Sequence, residues 1–303
     1  MRISVGEKDR LGEDRNAMCR ILKVSSASLG LAILSAAQSP SVNIKFKNIV
    51  IPGAIATVAT GINNSGVVVG WYSDSSGVFH GFSIASGTVT TIDDPKGTAT
   101  LCNGINSSGQ IVGEYTQPDG NNHGFLYDNG TFTDVGIGVI SGASDINDKG
   151  EIVGGYLKCG LCAQLGFVFD GTTYTTLNVP GSTFTAATGV NNAGTISITA
   201  ANENAIYSGY VYDGTNYTKI DAPGYTDTYA SGINNLGDVS ITVDKSGEEV
   251  EYGGVLSQGK YYFFSYDNRK NELTSAHGIN DHRQVVGDYE TETEISGYAA
   301  QAF

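Results

Sequence analysis

Apolar and polar positions along this chain fall in short alternating runs and seldom show the 3.6-residue spacing of a helix. Val67-Val68-Val69-Gly70-Trp71-Tyr72 is an apolar run of strand length, and Gln110 to Tyr115 repeats its shape. Runs this short, rich in β-branched and aromatic residues and bounded by turn residues, predict strands. A run that is apolar on both faces predicts a strand buried on both sides, as between stacked sheets.

The pattern recurs. Gly61-Ile62-Asn63 returns as Gly104-Ile105-Asn106, Asp145-Ile146-Asn147, Gly189-Val190-Asn191, Gly232-Ile233-Asn234 and Gly278-Ile279-Asn280, and successive Asn residues are 43, 41, 44, 43 and 46 positions apart. A repeat of about 40–45 residues holding four strands has the size of a propeller blade. Helical solenoids of similar period need helices that this chain lacks.

Each copy reads as four strands, a to d. Strand a ends in Gly-Ile-Asn. A turn with Asn first and Gly fourth follows, from Asn63 to Gly66 and at the matching positions of the next four copies, which suits a type I turn. Strand b is the apolar run. Strand c is marked by Gly and an aromatic residue: Gly81-Phe82, Gly124-Phe125, Gly166-Phe167, Gly209-Tyr210 and Gly297-Tyr298. Turns such as Asp128 to Gly130 lead into strand d, which ends near Pro95, Pro180 and Pro223, where the missing N–H suits the exit from an edge strand. The sixth copy stops at Phe303 without a strand d, while Lys47 to Gly53 matches Thr218 to Gly224 position for position. The expected fold is therefore all-β: a six-bladed β-propeller of four-stranded blades, its ring closed by Lys47 to Ile51 pairing with Gly297 to Ala302. One propeller domain is expected over residues 44–303.

The motif Gly-Ile-Asn-x-x-Gly-x-Val-Val-Gly followed by His-Gly-Phe resembles the HAF repeat of bacterial proteins. It stands here as Gly61 to Gly70 with His80-Gly81-Phe82 and as Gly104 to Gly113 with His123-Gly124-Phe125, and the resemblance extends from Lys47 to Phe303. It implies an extracellular or envelope-associated repeat protein and carries no activity. The fourth and fifth copies depart from it, with Ile198 and Ile241 at the second Gly, and Arg283 replaces the turn Gly of the sixth.

Charge narrows the partners. The net charge of −14 and the absence of basic patches argue against nucleic acid and anionic membranes, leaving cationic ligands, glycans or proteins as partners of a monomer. At the N-terminus, residues 1–17 are charged and unpatterned, and read as a disordered or non-native extension with Met18 as the start. Residues 18–37 read as an export signal: Arg20 and Lys23, an apolar core from Val24 to Leu34, then Ser35-Ala36-Ala37. A secreted protein, extracellular or periplasmic, is expected, with no membrane insertion after cleavage.

Candidate chemistry is sparse, and no cofactor is expected. His80 and His123 occupy equivalent repeat positions and read as blade signatures, while His277 and His282 have no evident partner set. Asp145 to Gly150 resembles a calcium loop only faintly, since Lys149 stands where a ligand should. Cys159-Gly160-Leu161-Cys162 could be a redox pair, half a zinc site or a local disulfide, and an exported protein favours the disulfide. The b–c loops vary most between copies. Those of the fifth and sixth carry Asp244, Glu248, Glu249, Glu251, Glu290, Glu292 and Glu294, a candidate surface for a cation or cationic partner. Glu290, Glu292 and Glu294 would share a side if their segment were extended. The functional expectation is a binding or scaffold module. The rival is a polysaccharide hydrolase or lyase working in the central channel, which should gather His, Asp, Glu or Tyr there from several blades.

Overall fold

The computed structural model describes residues 44–160, 162–245, 250–266, 273–291 and 294–303. The expected N-terminal extension and export signal lie outside the described residues. The chain enters on β1 (Phe46–Ile49). The first blade follows as β2 (Ala56–Ile62), β3 (Val68–Ser73), β4 (Phe79–Ala85) and β5 (Thr88–Ile92), the second as β6 (Ala99–Ile105), β7 (Ile111–Thr116), β8 (Asn122–Asp128) and β9 (Thr131–Asp134). The third is β10 (Ile140–Ile146), β11 (Ile152–Leu157), β12 (Leu165–Phe169) and β13 (Tyr174–Leu177), and the fourth β14 (Phe184–Val190), β15 (Ile196–Ala201), β16 (Tyr207–Tyr212) and β17 (Tyr217–Ile220). The fifth is β18 (Asp227–Ile233), β19 (Val239–Asp244), β20 (Glu251–Ser257) and β21 (Lys260–Phe264), and the sixth β22 (Leu273–Ile279), β23 (Gln284–Glu290) and β24 (Ile295–Gln301).

The first five blades are antiparallel in chain order. In the sixth, β1 takes the outer place beside β24, with Phe46 opposite Ala300 and Ile49 opposite Gly297. The pairing begins one residue earlier than the expected Lys47 and ends at Ile49; Ile51 instead turns inward and is buried. Among the described residues no helix is long and apolar enough to cross a membrane.

Apolar clusters lie between neighbouring sheets. One joins Val69 of the first blade to Cys102, Ile105 and Phe125 of the second, and another joins Val153 of the third to Ala187 and Ile198 of the fourth. A single blade cannot cover these faces, so burial of about 1.5–3 kcal/mol per large side chain depends on the neighbour. Within a blade, strand b and strand c trade volume. Gly70 lies opposite Phe82, whose ring fills the space a side chain there would need, and Gly113 and Gly154 face Phe125 and Phe167 in the same way. The fifth blade inverts the pair: Ile241, fully buried, faces Gly254, and Phe263 of β21 fills the remaining space. The fifth blade's departure from the repeat is thus compensated locally, whereas in the fourth Ile198 faces Tyr210.

The recurring Asn explains the a–b turn. Asn63 Oδ1 accepts hydrogen bonds from the N–H groups of Ser65 and Val67, both at 3.0 Å, and Gly66 closes the turn at φ +77°, where an L side chain would be strained. The same pair of bonds recurs at the other five Asn residues. Each Asn Nδ2 then donates to the next blade: Asn63 to Asn106 O, Asn106 to Asn147 O, Asn147 to Asn191 O, Asn191 to Asn234 O, and Asn234 to Asn280 O. Asn280 donates to Asn63 O at 3.1 Å, so the sixth bond returns to the first residue of the series. Arg283 keeps the left-handed turn at φ +59°. Its guanidinium donates to buried Asp238 at 2.8 Å and lies over the Phe303 ring, contacts that offset the backbone cost. Burial raises the Asp238 pKa, but hydrogen bonds from Ser257, Arg283 and Asn234 outweigh it and hold the carboxyl below the usual range.

Candidate functional site

Every innermost strand carries a register shift just before its Gly-Ile-Asn. In β2, Ala59 faces Gly70 and Gly61 faces Val69, which leaves Thr60 without a cross-strand partner. Such a bulge re-aims one side chain. The corresponding residues of the other blades are Asn103, Ser144, Thr188, Ser231 and His277. All six are half-buried and line a central space of about 300 Å³. A smaller space of about 70 Å³ lies on the side of the Asn turns, and Ile62, Ile105, Ile233, Ile279 and Asp145 border both. The channel is thus lined by residues of the repeat itself, the pattern expected of a scaffold, with Asp145 and His277 as its titratable departures.

Asp145 stands where the other five copies have Gly. Its Oδ2 accepts a hydrogen bond from Val190 N–H at 2.9 Å. Burial pushes its pKa up to about 7, against the opposing pull of the Val190 and Ile146 N–H groups. Asp148 accepts from Ser107 N–H and Asn192 Nδ2, so both carboxylates are engaged by amide donors of neighbouring blades. Among the described residues no group of three or more His, Cys, Asp or Glu is placed to hold a metal ion. His277 Nε2 lies 2.7 Å from Asp288 Oδ1.

The acidic rim is partly assembled. Glu248, Glu249 and Glu292 lie outside the described residues. Asp244 faces Glu251 across β19 and β20, Glu251 pairs with Leu273, and Leu273 faces Glu290. Asp244, Glu251 and Glu290 therefore occupy one edge at one level. Asp227 joins them opposite Asp244 and accepts a hydrogen bond from Tyr207 N–H at 2.6 Å. It starts a strand a and lies in no b–c loop, so a reading by loops passes over it. Glu294 is turned toward the outer strands, where its Oε1 accepts from Tyr289 OH at 3.2 Å. Thr291 N–H donates to Glu294 O, a chain reversal in place of the extended segment expected, so alternation does not align Glu290 with Glu294.

Beside the rim lies an aromatic slot between the fourth and fifth blades. The Tyr207 and Tyr229 rings are 5.1 Å apart, and Phe184 meets Tyr207 edge-on at 5.8 Å. Tyr229 keeps partial exposure. Burial, then Asp244, Asp227 and Glu251, raise its pKa, which places three carboxylates around this ring.

The remaining candidates read as structure. His80 stacks on Tyr72 and its Nδ1 lies 2.8 Å from Asp93, while His123 lies against Tyr115. Cys102 is fully buried, and burial pushes its thiol pKa up, away from reactivity. Cys159 and Cys162 are joined in a disulfide with Cα atoms 5.1 Å apart.

No known sequence family matches this chain, and no curated protein does. Solved structures are similar in shape. A fucose-specific lectin of Aleuria aurantia, described as a six-bladed β-propeller, superposes with a TM-score of 0.52 at 12% identity over 81% of this chain and 91% of its own. AofleA of Arthrobotrys oligospora gives 0.52 at 11% identity over 85% and 86%. TolB of Acinetobacter baumannii gives 0.55 at 11% identity over 82% of this chain and 65% of its own. Identities this low speak for fold alone, here the six-bladed β-propeller printed for the Aleuria aurantia lectin.

Proposed function

We propose that this protein is an exported carbohydrate-binding module whose ligand contacts the face bearing the b–c loops. The observation that carries the reading is the slot between the fourth and fifth blades. Tyr229 supplies an aromatic face, and Asp227, Asp244 and Glu251 supply carboxylate acceptors around it. Apolar sugar faces stack on such rings, while hydroxyls donate to such carboxylates. The fucose-binding lectins of the same fold support the class of ligand, without identifying it. Ring closure by β1 belongs to the same proposal, since a rigid ring would hold loops from several blades in fixed relation.

A glycan array probed with the chain from residue 38 onward tests this. Capture of a defined glycan is expected, and Tyr229→Ala should weaken it by about tenfold, the size of one lost stacking contact. An array without retained glycan, or full capture by Tyr229→Ala, would sink the proposal. Charge reversal of Glu290 and Glu294 to Lys asks separately whether the outer rim takes part.

A further inference from the structure

Three of the six bulge residues at the axis, Thr60, Asn103 and Thr188, have a shared polarity that their residue types alone do not show. Thr60 Oγ1 donates to Cys102 O at 2.7 Å, Asn103 Nδ2 donates to Ala143 O at 2.9 Å, and Thr188 Oγ1 donates to Ala230 O at 2.7 Å. In each case a side-chain donor goes to the next blade's backbone, which uses the one proton of each Thr hydroxyl and one of the two N–H groups of Asn103. A hydroxyl has one proton to give and two lone pairs, so Thr60 and Thr188 present only acceptors to the cavity. Asn103 keeps its carbonyl oxygen for the same purpose. His277 stands on the same wall, with its Nε2 2.7 Å from Asp288 Oδ1. Asp145 adds a carboxylate at the inner end, where the other blades have Gly.

We propose that the axial cavity of about 300 Å³ is a binding site for a small primary ammonium ligand. Its wall is acceptor-rich on several sides and carries an anionic group at its base. A primary ammonium brings three N–H donors and a positive charge, so it satisfies several lone pairs and the carboxylate together. A neutral polyol satisfies the lone pairs without the charge. A quaternary ammonium has the charge without donors. The aliphatic collar of Ile62, Ile105, Ile233 and Ile279 closes the inner end of the cavity around Asp145 and lowers the local dielectric, which strengthens a charge-assisted bond. This site is independent of the Tyr229 slot and does not rest on carbohydrate binding.

Titration calorimetry on the full chain decides it. Ethanolammonium chloride is the probe, at about pH 8, above the pH at which the Asp145 carboxyl titrates. Choline chloride, glycerol, sodium chloride and calcium chloride are the comparators. Saturable ethanolammonium binding is expected, weakened by about tenfold or more in Asp145→Asn, which removes the charge and keeps the shape. Asp145→Gly installs the residue of the other five blades and guards against a folding failure. Thr188→Val, which removes one acceptor, should weaken binding less. The proposal is overturned by absent ethanolammonium heat, by equal affinity in Asp145→Asn, or by a comparator that binds as tightly.

Discussion

Replacing Asn191 tests what holds one blade to the next. Its side chain accepts from Ala193 and Thr195 N–H, both at 3.0 Å, and donates to Asn234 O at 3.1 Å, and the residue is buried. Unlike Asn106, Asn147, Asn234 and Asn280, it has no acidic or amide side chain four positions on to share its amide, because Thr195 stands there. Asn191→Ala removes three hydrogen bonds worth about 1 kcal/mol each and leaves the Asn234 carbonyl with Gly237 N–H alone, a loss of about 3 kcal/mol. Domains are stable by only about 5–15 kcal/mol, so the loss is large. Asn191→Asp separates the two roles. It keeps the acceptor that builds the turn and sets a second acceptor against Asn234 O. If the bond between blades matters, Asp is at least as destabilising as Ala. Urea unfolding followed by far-ultraviolet dichroism and tyrosine fluorescence, with coincident transitions, gives both values. A near-native midpoint for Asn191→Asp, or a loss below about 1 kcal/mol for Asn191→Ala, would refute the reasoning.

Three further outcomes follow. Asp145 and Glu114 both have pKa values pushed up to about 7, first by burial, from ordinary values of 3.8 and 4.5. The native state therefore holds these protons where the unfolded chain has released them, so the contribution of these two groups to stability is fullest below about pH 4 and declines as pH rises toward 7. Asp145→Asn and Glu114→Gln should each flatten that decline in unfolding measured across this range, and an unchanged pH profile would count against the burial argument. Deleting residues 1–52 removes β1 and exposes β24, and should lower the melting temperature sharply; equal melting of truncated and intact chains would contradict closure by β1. Alkylation of exported protein without reductant should leave Cys159 and Cys162 unlabelled, and rapid labelling would point to a redox or metal role.

The blades were legible because their signals are local and repeated. Gly-Ile-Asn marks the end of each innermost strand, and the Asn-to-Gly turn follows from side-chain geometry that any single copy reveals. The channel was less legible. A bulge is a mismatch between two strands, so nothing in Thr60 or Ser144 alone says that it turns toward the axis. The slot at Tyr229 escaped for another reason. Its position is held by Val58, Leu101, Gly142, Ala186 and Ser275 in the other blades, so it belongs to no motif, and only its neighbour Tyr207 from the preceding blade gives it meaning. Asp227 was hidden likewise, brought to the acidic edge by pairing with Asp244. Residues that serve the repeat announce themselves by recurring, whereas a contact between blades is formed by positions some 20–45 residues apart that vary from copy to copy.

The Asn bonds all run one way round, each blade giving to its successor and receiving from its predecessor. In the language of assemblies this is a heterologous, head-to-tail contact that reaches its own start after six steps, the geometry of a cyclic oligomer written into one chain. A piece of it is therefore unfinished in a defined manner. Two consecutive repeats, such as residues 137–222, end in the Asn191 amide without its acceptor on one side and the Asn147 carbonyl without its donor from the preceding blade on the other. Those ends are mutually complementary, so such a fragment should associate with copies of itself and stop at three. A rotation per blade that failed to close would instead yield filaments of indefinite length, and light scattering on the two-repeat fragment distinguishes a trimer from a fibre.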